Sequence, residues 1–284
     1  MRDLARLPKA HLHVHLESTV RWTTLREIAA GNGIKIPDPP GHGRRAFNGF
    51  RQFADHNALV RSCLLRREDF ARIAREFCAD EAAQGTRYAE VTFTAAAHGE
   101  RLSEPEMPLE AVLHGLAEGQ AAHDIECRVI LDHSRRRSVQ RARRTLDLAT
   151  RYAAGSGSGG GGVVGLGMAG EERFPLAPFA EVVSAARDAG LHIVHHAGEA
   201  CGPASIREAI GLGRAERLGH GIRVLDDGDL VAEIRDRRLP LEVCPSSNVA
   251  LGFAERKLSN QLRRSMPRVL PGRSCCPRPR GGAG

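Results

Sequence analysis

Four histidines occupy positions where the sequence pattern places the ends of strands. His13 and His15 lie two residues apart in the alternating segment 10–16, which puts both imidazoles on one face of a predicted strand. His196 ends a second predicted strand and His220 ends a third. Three neutral imidazoles with an open fourth position are typical of a catalytic zinc site. If these strand ends meet, the sequence predicts one zinc ion per chain.

A carboxylate follows one of these histidines at a short distance along the chain. Glu199 lies three residues after His196, and the small pair Ala197-Gly198 between them allows the chain to turn back over the strand ends. A partly desolvated carboxyl group beside a metal-activated water is placed to shuttle a proton. An acid near the N-terminus of the next helix is the alternative interpretation.

Strands and helices alternate along the chain, and this alternation decides whether those side chains can converge. Apolar strand patterns are separated by amphipathic helical patterns at 20–32, 51–64, 68–84, 106–123, 138–153 and 177–189. The strands are predicted at 10–16, 87–93, 127–131, 163–166, 192–196, 217–220 and 240–244. Such alternation in one block favours an α/β fold of the TIM-type (β/α)8 barrel class over an open doubly wound sheet, and a barrel gathers its strand ends at one mouth. The Gly-rich run 155–162 precedes a strand, so it lacks the context of a phosphate-binding loop and is interpreted as a surface linker.

Composition and charge exclude several classes of protein. The 284 residues are 42% hydrophobic and 26% charged, typical of a globular protein, and seven scattered cysteines without CxxC spacing argue against a disulfide framework. No secretory or membrane-spanning apolar run occurs, so we expect a cytoplasmic protein. The last 34 residues hold eight Arg or Lys against one acid, which equals the net charge of +7. Nucleic-acid binding through this tail is disfavoured, because the tail has one aromatic residue and no recognisable module.

Five motifs, in this order and spacing, resemble the adenosine deaminase family of the metal-dependent amidohydrolases. They are Leu7–Glu17, Ala169–Glu172, His196–Glu199, Gly219–Gly221 and Glu242–Asn248. The resemblance implies a barrel fold and a zinc-dependent hydrolytic deamination that converts adenosine to inosine and ammonia. A purine nucleoside would be the small-molecule partner, with no membrane involved.

The resemblance also implies roles for individual residues. His13, His15 and His196 would ligate zinc, Glu199 would protonate the purine ring nitrogen beside the attacked carbon, and His220 would orient the activated water. The expected substrate contacts are His15, Glu17 and Gly170, the last through its backbone. Glu17 stands where the family commonly has Asp followed by Gly to reach a ribose hydroxyl, whereas this chain has Glu17-Ser18. Adenine or aminodeoxyfutalosine therefore remain alternative substrates.

The family pattern stops near Gly252. The family continues with an eighth strand that ends in two aspartates, one a zinc ligand and one a purine contact, but residues 253–284 contain no aspartate. We therefore expect a deaminase barrel over 1–252 that lacks its eighth strand, and a basic, disordered tail over 253–284. A frameshifted or truncated relative would explain this composition, and a natural basic tail fits it equally. The chain is expected to deaminate adenosine weakly or not at all, or to be a zinc- or purine-binding remnant.

Overall fold

A computed structural model describes residues 7–38, 47, 50–155 and 162–254. Within these residues seven parallel strands form one sheet in the order β1 to β7. Their bounds are Lys9–His15, Thr86–Phe93, Glu126–Ser134, Val163–Ala169, His192–Ala197, Arg217–His220 and Leu241–Glu242. The central strands are buried on both faces and consist of apolar runs such as Val129-Ile130-Leu131, because helices cover the outside of a parallel sheet and side chains fill its inside.

Ten α-helices connect or flank the strands in the described part of the chain. They are α1 Trp22–Gly31, α2 Phe50–Cys63, α3 Arg67–Ala83, α4 Ala95–Leu102, α5 Met107–Ala122, α6 Val139–Arg151, α7 Ala180–Asp188, α8 Pro203–Gly211, α9 Gly228–Arg237 and α10 Pro245–Ala250. Local capping explains several starts: the Ser138 hydroxyl accepts the amide of Arg141 at 3.4 Å before α6, and the Asp227 carboxylate accepts that of Leu230 at 3.0 Å before α9. None of these helices is both long enough and apolar enough to cross a membrane.

The sheet curls into a nearly closed barrel, as the sequence predicts, and the eighth strand is not among the described residues. β1 and β7 are the edges of the described sheet, because β1 pairs only with β2 and β7 pairs only with β6 among the described strands. The open seam between them is crossed by a side-chain hydrogen bond, in which His13 Nδ1 on β1 lies 2.9 Å from Glu242 Oε2 on β7. The fold is therefore a (β/α)8-type barrel with seven described strands.

The seven predicted strands are present, and two of them end markedly later than predicted, which bears on the site. β3 continues to Ser134 and β4 to Ala169, three residues further than the apolar patterns indicate. Polar and small residues continue the ladder there because the C-terminal ends of these strands line the barrel mouth. The short helices α4 and α10 were not predicted. Residues 156–161 of the predicted Gly-rich linker, and all but the first two residues of the predicted tail, lie outside the described residues.

Candidate active site

The four histidines meet at the C-terminal ends of β1, β5 and β6. The ring centroid of His13 lies 4.6 Å from that of His196 and 4.7 Å from that of His220. The ring of His15 lies 5.0 Å from that of His196, with their Nε2 atoms 3.0 Å apart. Two nitrogens bound to one tetrahedral zinc at about 2.0–2.1 Å would lie about 3.3 Å apart, close to this separation.

Burial keeps these imidazoles in the form that can bind a metal. Burial, together with the neighbouring His13, lowers the pKa of His15 to about 4. Burial also lowers the pKa of His196 and of His220 well below the usual value, with further lowering from the adjacent histidines. These three rings are therefore neutral at pH 7, and a neutral imidazole offers a nitrogen lone pair to a metal ion.

His13 is held in place by contacts on two sides of its ring. Its Nδ1 is hydrogen-bonded to Glu242, and the side chains of the pair are 11% and 4% exposed. This bond leaves Nε2 directed away from Glu242. The ring lies against Gly219 on β6, where a Cβ atom would stand 2.5 Å from His13 Cε1. The glycine of the Gly219–Gly221 motif is therefore required by the packing of this histidine.

Beneath His13 a chain of charged groups fills the barrel interior. The Arg217 guanidinium donates to Glu90 on β2, and its Nε lies 2.8 Å from Glu242 Oε1. Glu90 also accepts the hydroxyl of Tyr88 at 2.8 Å. Two buried carboxylates thus share one partly buried guanidinium, which offsets the cost of placing their charges inside the barrel.

His220 combines an unusual backbone with two polar partners. Its φ angle is +66°, a left-handed conformation that costs energy for a residue other than glycine and that clusters at functional sites. The side-chain nitrogen Nδ2 of the fully buried Asn248 lies 3.1 Å from His220 Nδ1. An amide nitrogen can only donate, so this contact places the imidazole proton on Nε2, which lies 3.4 Å from Glu199 Oε1.

Glu199 is a buried carboxylic acid beside the histidines. Burial, together with the charge of nearby Glu172, raises its pKa to about 8. The turn that brings it there needs Gly198, which has φ of +69° and whose Cβ would stand 2.5 Å from Ile206 Cδ1. At neutral pH Glu199 is therefore protonated and can donate a proton toward the barrel mouth.

The two other predicted substrate contacts, Glu17 and Gly170, have different surroundings. Glu17 follows β1 and is 4% exposed, and its Oε1 accepts from His98 Nε2 at 3.2 Å and from the amide of Thr94 at 3.3 Å. Gly170 directly follows β4 with φ of +85°, and a Cβ there would stand 2.8 Å from Ser134 Oγ. Glu17 is thus engaged within the protein, while the backbone at Gly170 leaves no room for a side chain.

Asp132 is a polar residue at the barrel mouth that the sequence did not indicate as part of the site. Asp132 is 6% exposed, its Oδ2 lies 3.9 Å from His15 Nδ1, and its Oδ1 has no hydrogen-bond partner among the described residues. Burial, together with the charge of Glu17, raises its pKa to about 7. The signal was the polar residue directly after the apolar run 129–131, at a strand end.

Three further residues at the mouth belong to recognised motifs, but the sequence did not indicate what they contact. Glu242 and Asn248 belong to the seventh-strand motif, and they contact His13 and His220 respectively. Glu172 belongs to the Ala169–Glu172 motif. Their partners lie far away in the sequence, so the motif alone did not indicate them.

Three of the four histidines form a group that could hold a metal ion in the described structure. His13, His196 and His220 each offer a ring nitrogen, and these three atoms lie within 4.8 Å of one another. The set expected from the sequence has His15 in place of His220. His15 Nε2 lies 3.0 Å from His196 Nε2, whereas the ring centroids of His13 and His15 are 5.9 Å apart. Both sets are nitrogen donors of the kind that zinc binds.

Comparison with known proteins agrees with this architecture. The adenosine deaminase family model matches residues 8–265. A Streptomyces coelicolor protein provisionally named adenosine/adenine deaminase is 35% identical over 282 residues, covering 95% of this chain and 80% of that protein. An adenosine deaminase from Clostridium botulinum is 32% identical over 258 residues, covering 87% of this chain and 74% of its own length. The match extends past Gly252, so the domain boundary stays a prediction.

The fold of this chain also matches that of a solved structure. The crystal structure of adenine deaminase from Arthrobacter aurescens superposes with a TM-score of 0.82 at 28% identity, covering 92% of this chain and 79% of that one. The family match and these relatives, which are named adenosine or adenine deaminases, show that the chain is a hydrolase that acts on C–N bonds. The chain belongs to the adenosine deaminase family.

Proposed function

We propose that this protein hydrolyses the exocyclic amine of a 6-aminopurine with zinc as its metal, releasing ammonia and the 6-oxo product. The observation that carries the proposal is that the histidine cluster, in which His15, His196 and His220 are neutral, meets the protonated carboxyl group of Glu199 at His220. Nucleophile activation and proton donation at one mouth are the two functions that displacement of an aromatic amine requires.

We assign the metal to His13, His15 and His196 and exclude His220 from the ligands. The Asn248 contact supports this choice, because a ring nitrogen that carries a proton cannot ligate a metal. The nitrogen-rich donor set fits zinc. When bound, zinc supplies Lewis-acid activation of water at neutral pH.

The roles of the protein side chains follow from protonation and position. Glu199 donates its proton to the ring nitrogen beside the attacked carbon, which removes charge from the ring as water adds. His220 donates from Nε2 and orients the water. One hydrogen of the water leaves with the amine as ammonia when the C–N bond breaks, and the other restores the carboxylic acid of Glu199. The backbone at Gly170 lies against the flat purine.

The free base adenine is the substrate that the site favours over adenosine. In the adenosine deaminase pattern an acid at position 17 reaches the ribose, but here Glu17 accepts from His98 and Thr94. Burial raises the pKa of Glu17, yet the hydrogen bond and charge of His98 outweigh burial and leave that pKa below its usual range. An ionised, internally bonded carboxylate with 4% exposure is poorly available to a sugar hydroxyl.

The proposal is tested by incubating the zinc-loaded chain at high concentration with adenine or adenosine and measuring ammonia and the loss of aminopurine absorbance. We expect slow deamination of adenine, a smaller kcat/KM for adenosine, and no turnover by Glu199→Gln. A larger kcat/KM for adenosine would overturn the choice of substrate. Equal turnover by Glu199→Gln would overturn the role of Glu199.

A further inference from the structure

Glu172 collects an unusual number of backbone amides from the loop that carries Glu199. Its carboxylate accepts from the amides of Glu199 at 3.1 Å, Ala200 at 2.7 Å and Cys201 at 2.9 Å, and also from that of Gly198. Four consecutive N–H groups thus converge on one side chain. Such a run of amides forms a concave nest that binds an anion, and here the anion is a residue of the protein itself.

The buried side chain of Arg135 also joins the segment after β4 to the end of β5, but it donates to backbone carbonyls instead of accepting from amides. The guanidinium of Arg135, at the end of β3, donates to the backbone carbonyls of Glu172 at 3.2 Å and Phe174 at 3.3 Å. Its other terminal nitrogen donates to the carbonyl of His196. Arg135 is 4% exposed, so its charge is compensated by these carbonyls and by the nearby Glu172 carboxylate.

The loop needs this external support because it has little of its own. Residues 198–202 lie between β5 and α8 in irregular structure, and the left-handed turn at Gly198 leaves the following amides directed inward. Buried amides without acceptors would be costly, and a carboxylate satisfies them with charge-assisted hydrogen bonds. The loop geometry therefore depends on a side chain from the strand-end loop after β4.

We propose that Glu172 and Arg135 are positioning residues that fix the 196–201 segment, and with it the carboxyl group of Glu199, relative to the histidine cluster. Neither side chain touches the reacting atoms. Their importance for catalysis rests on the role proposed above for Glu199, whereas their effect on the loop does not. Rigid support of a reacting group matters because small misplacements cost large factors in rate.

The neighbouring Glu171 provides a matched control. Its carboxylate is directed outward, with Oε1 2.9 Å from Arg136 and Oε2 2.6 Å from Arg173. It has the same residue type, the adjacent position and two charged partners, but the 198–201 amides of the described structure donate to Glu172 and not to Glu171. A change at Glu171 therefore alters the charge nearby without removing the nest.

The test compares hydrogen exchange in the zinc-loaded full chain for the wild type, Glu172→Gln and Glu171→Gln. In Glu172→Gln we expect amides 198–201 to exchange about tenfold faster or more, because charged hydrogen bonds are lost there. Exchange in β3 and β4 should stay unchanged. Unchanged exchange at 198–201, or an equal rise throughout the barrel, would overturn the proposal.

Two further measurements keep the inference testable if Glu172→Gln does not fold. Arg135→Lys keeps the charge but loses the forked donor, and we expect it to raise exchange in the same segment and not in β2. Per zinc-loaded molecule, both variants should lower kcat for adenine by about tenfold or more with little change in KM. Normal local exchange and normal kcat in Arg135→Lys would overturn the proposal. A wild type without turnover but with the expected exchange pattern would overturn the proposed function alone.

Discussion

Glu242→Gln should weaken zinc binding although Glu242 is not a proposed ligand. Its carboxylate is hydrogen-bonded to His13 Nδ1 at 2.9 Å, and both side chains are largely shielded from water. Such a carboxylate fixes the ring tautomer and orientation and raises the basicity of the ligating nitrogen. Removing such a partner lowers metal affinity by about 10–100-fold, or about 1.4–2.7 kcal/mol.

The control for this prediction is Glu216→Gln. Glu216 Oε2 also lies 2.7 Å from a histidine Nδ1, that of His192, but this pair is exposed and far from the mouth. Zinc dissociation constants from competition with a chromophoric chelator, measured for the folded apo proteins, separate the two cases. Arg217 keeps its second partner, Glu90, in Glu242→Gln, so the change acts on zinc binding through His13. Equal dissociation constants for Glu242→Gln and the control would contradict this prediction.

Three further outcomes follow from the site. Deaminase activity should decline as pH rises through about 8, because Glu199 with its raised pKa loses the proton that it donates, and a pH–kcat profile that is flat between pH 7 and 9 would contradict this. Gly219→Ala should lower zinc affinity by about tenfold or more by displacing His13, whereas Gly211→Ala, with open space at its Cβ, should leave it unchanged in the same chelator assay. A family-like eighth strand with an Asp-Asp pair grafted after Gly252 should raise kcat, measured as ammonia release, because it restores a metal ligand and a purine contact.

The histidine cluster could be predicted because it depends on short-range signals and one topological rule. Alternation around His13 and His15 indicates a strand face, apolar runs locate the strands that end in His196 and His220, and parallel strands bring these ends to one mouth. The family motifs gave each residue a role. Each of these signals is contained in a short stretch of sequence, so it can be recognised without knowledge of distant contacts.

The supporting contacts could not be predicted because they join distant residues. His13 and Glu242 are 229 residues apart, and Glu172 meets the 198–201 amides across two strand-end loops. Nothing local to Glu17 indicates that His98 on α4 occupies its carboxylate. The choice between His15 and His220 as ligand depends on which ring nitrogen carries the proton, and only the approach of Asn248 indicates this.

The central claim is tested most directly by titrating metal-free protein with zinc while measuring ammonia release from adenine. We expect activity to rise in proportion to bound zinc and to reach its maximum at one zinc per chain. Alanine at His13, His15 and His196 together should abolish both zinc binding and activity. Full activity in the metal-free protein, or full zinc content in the triple variant, would contradict the account.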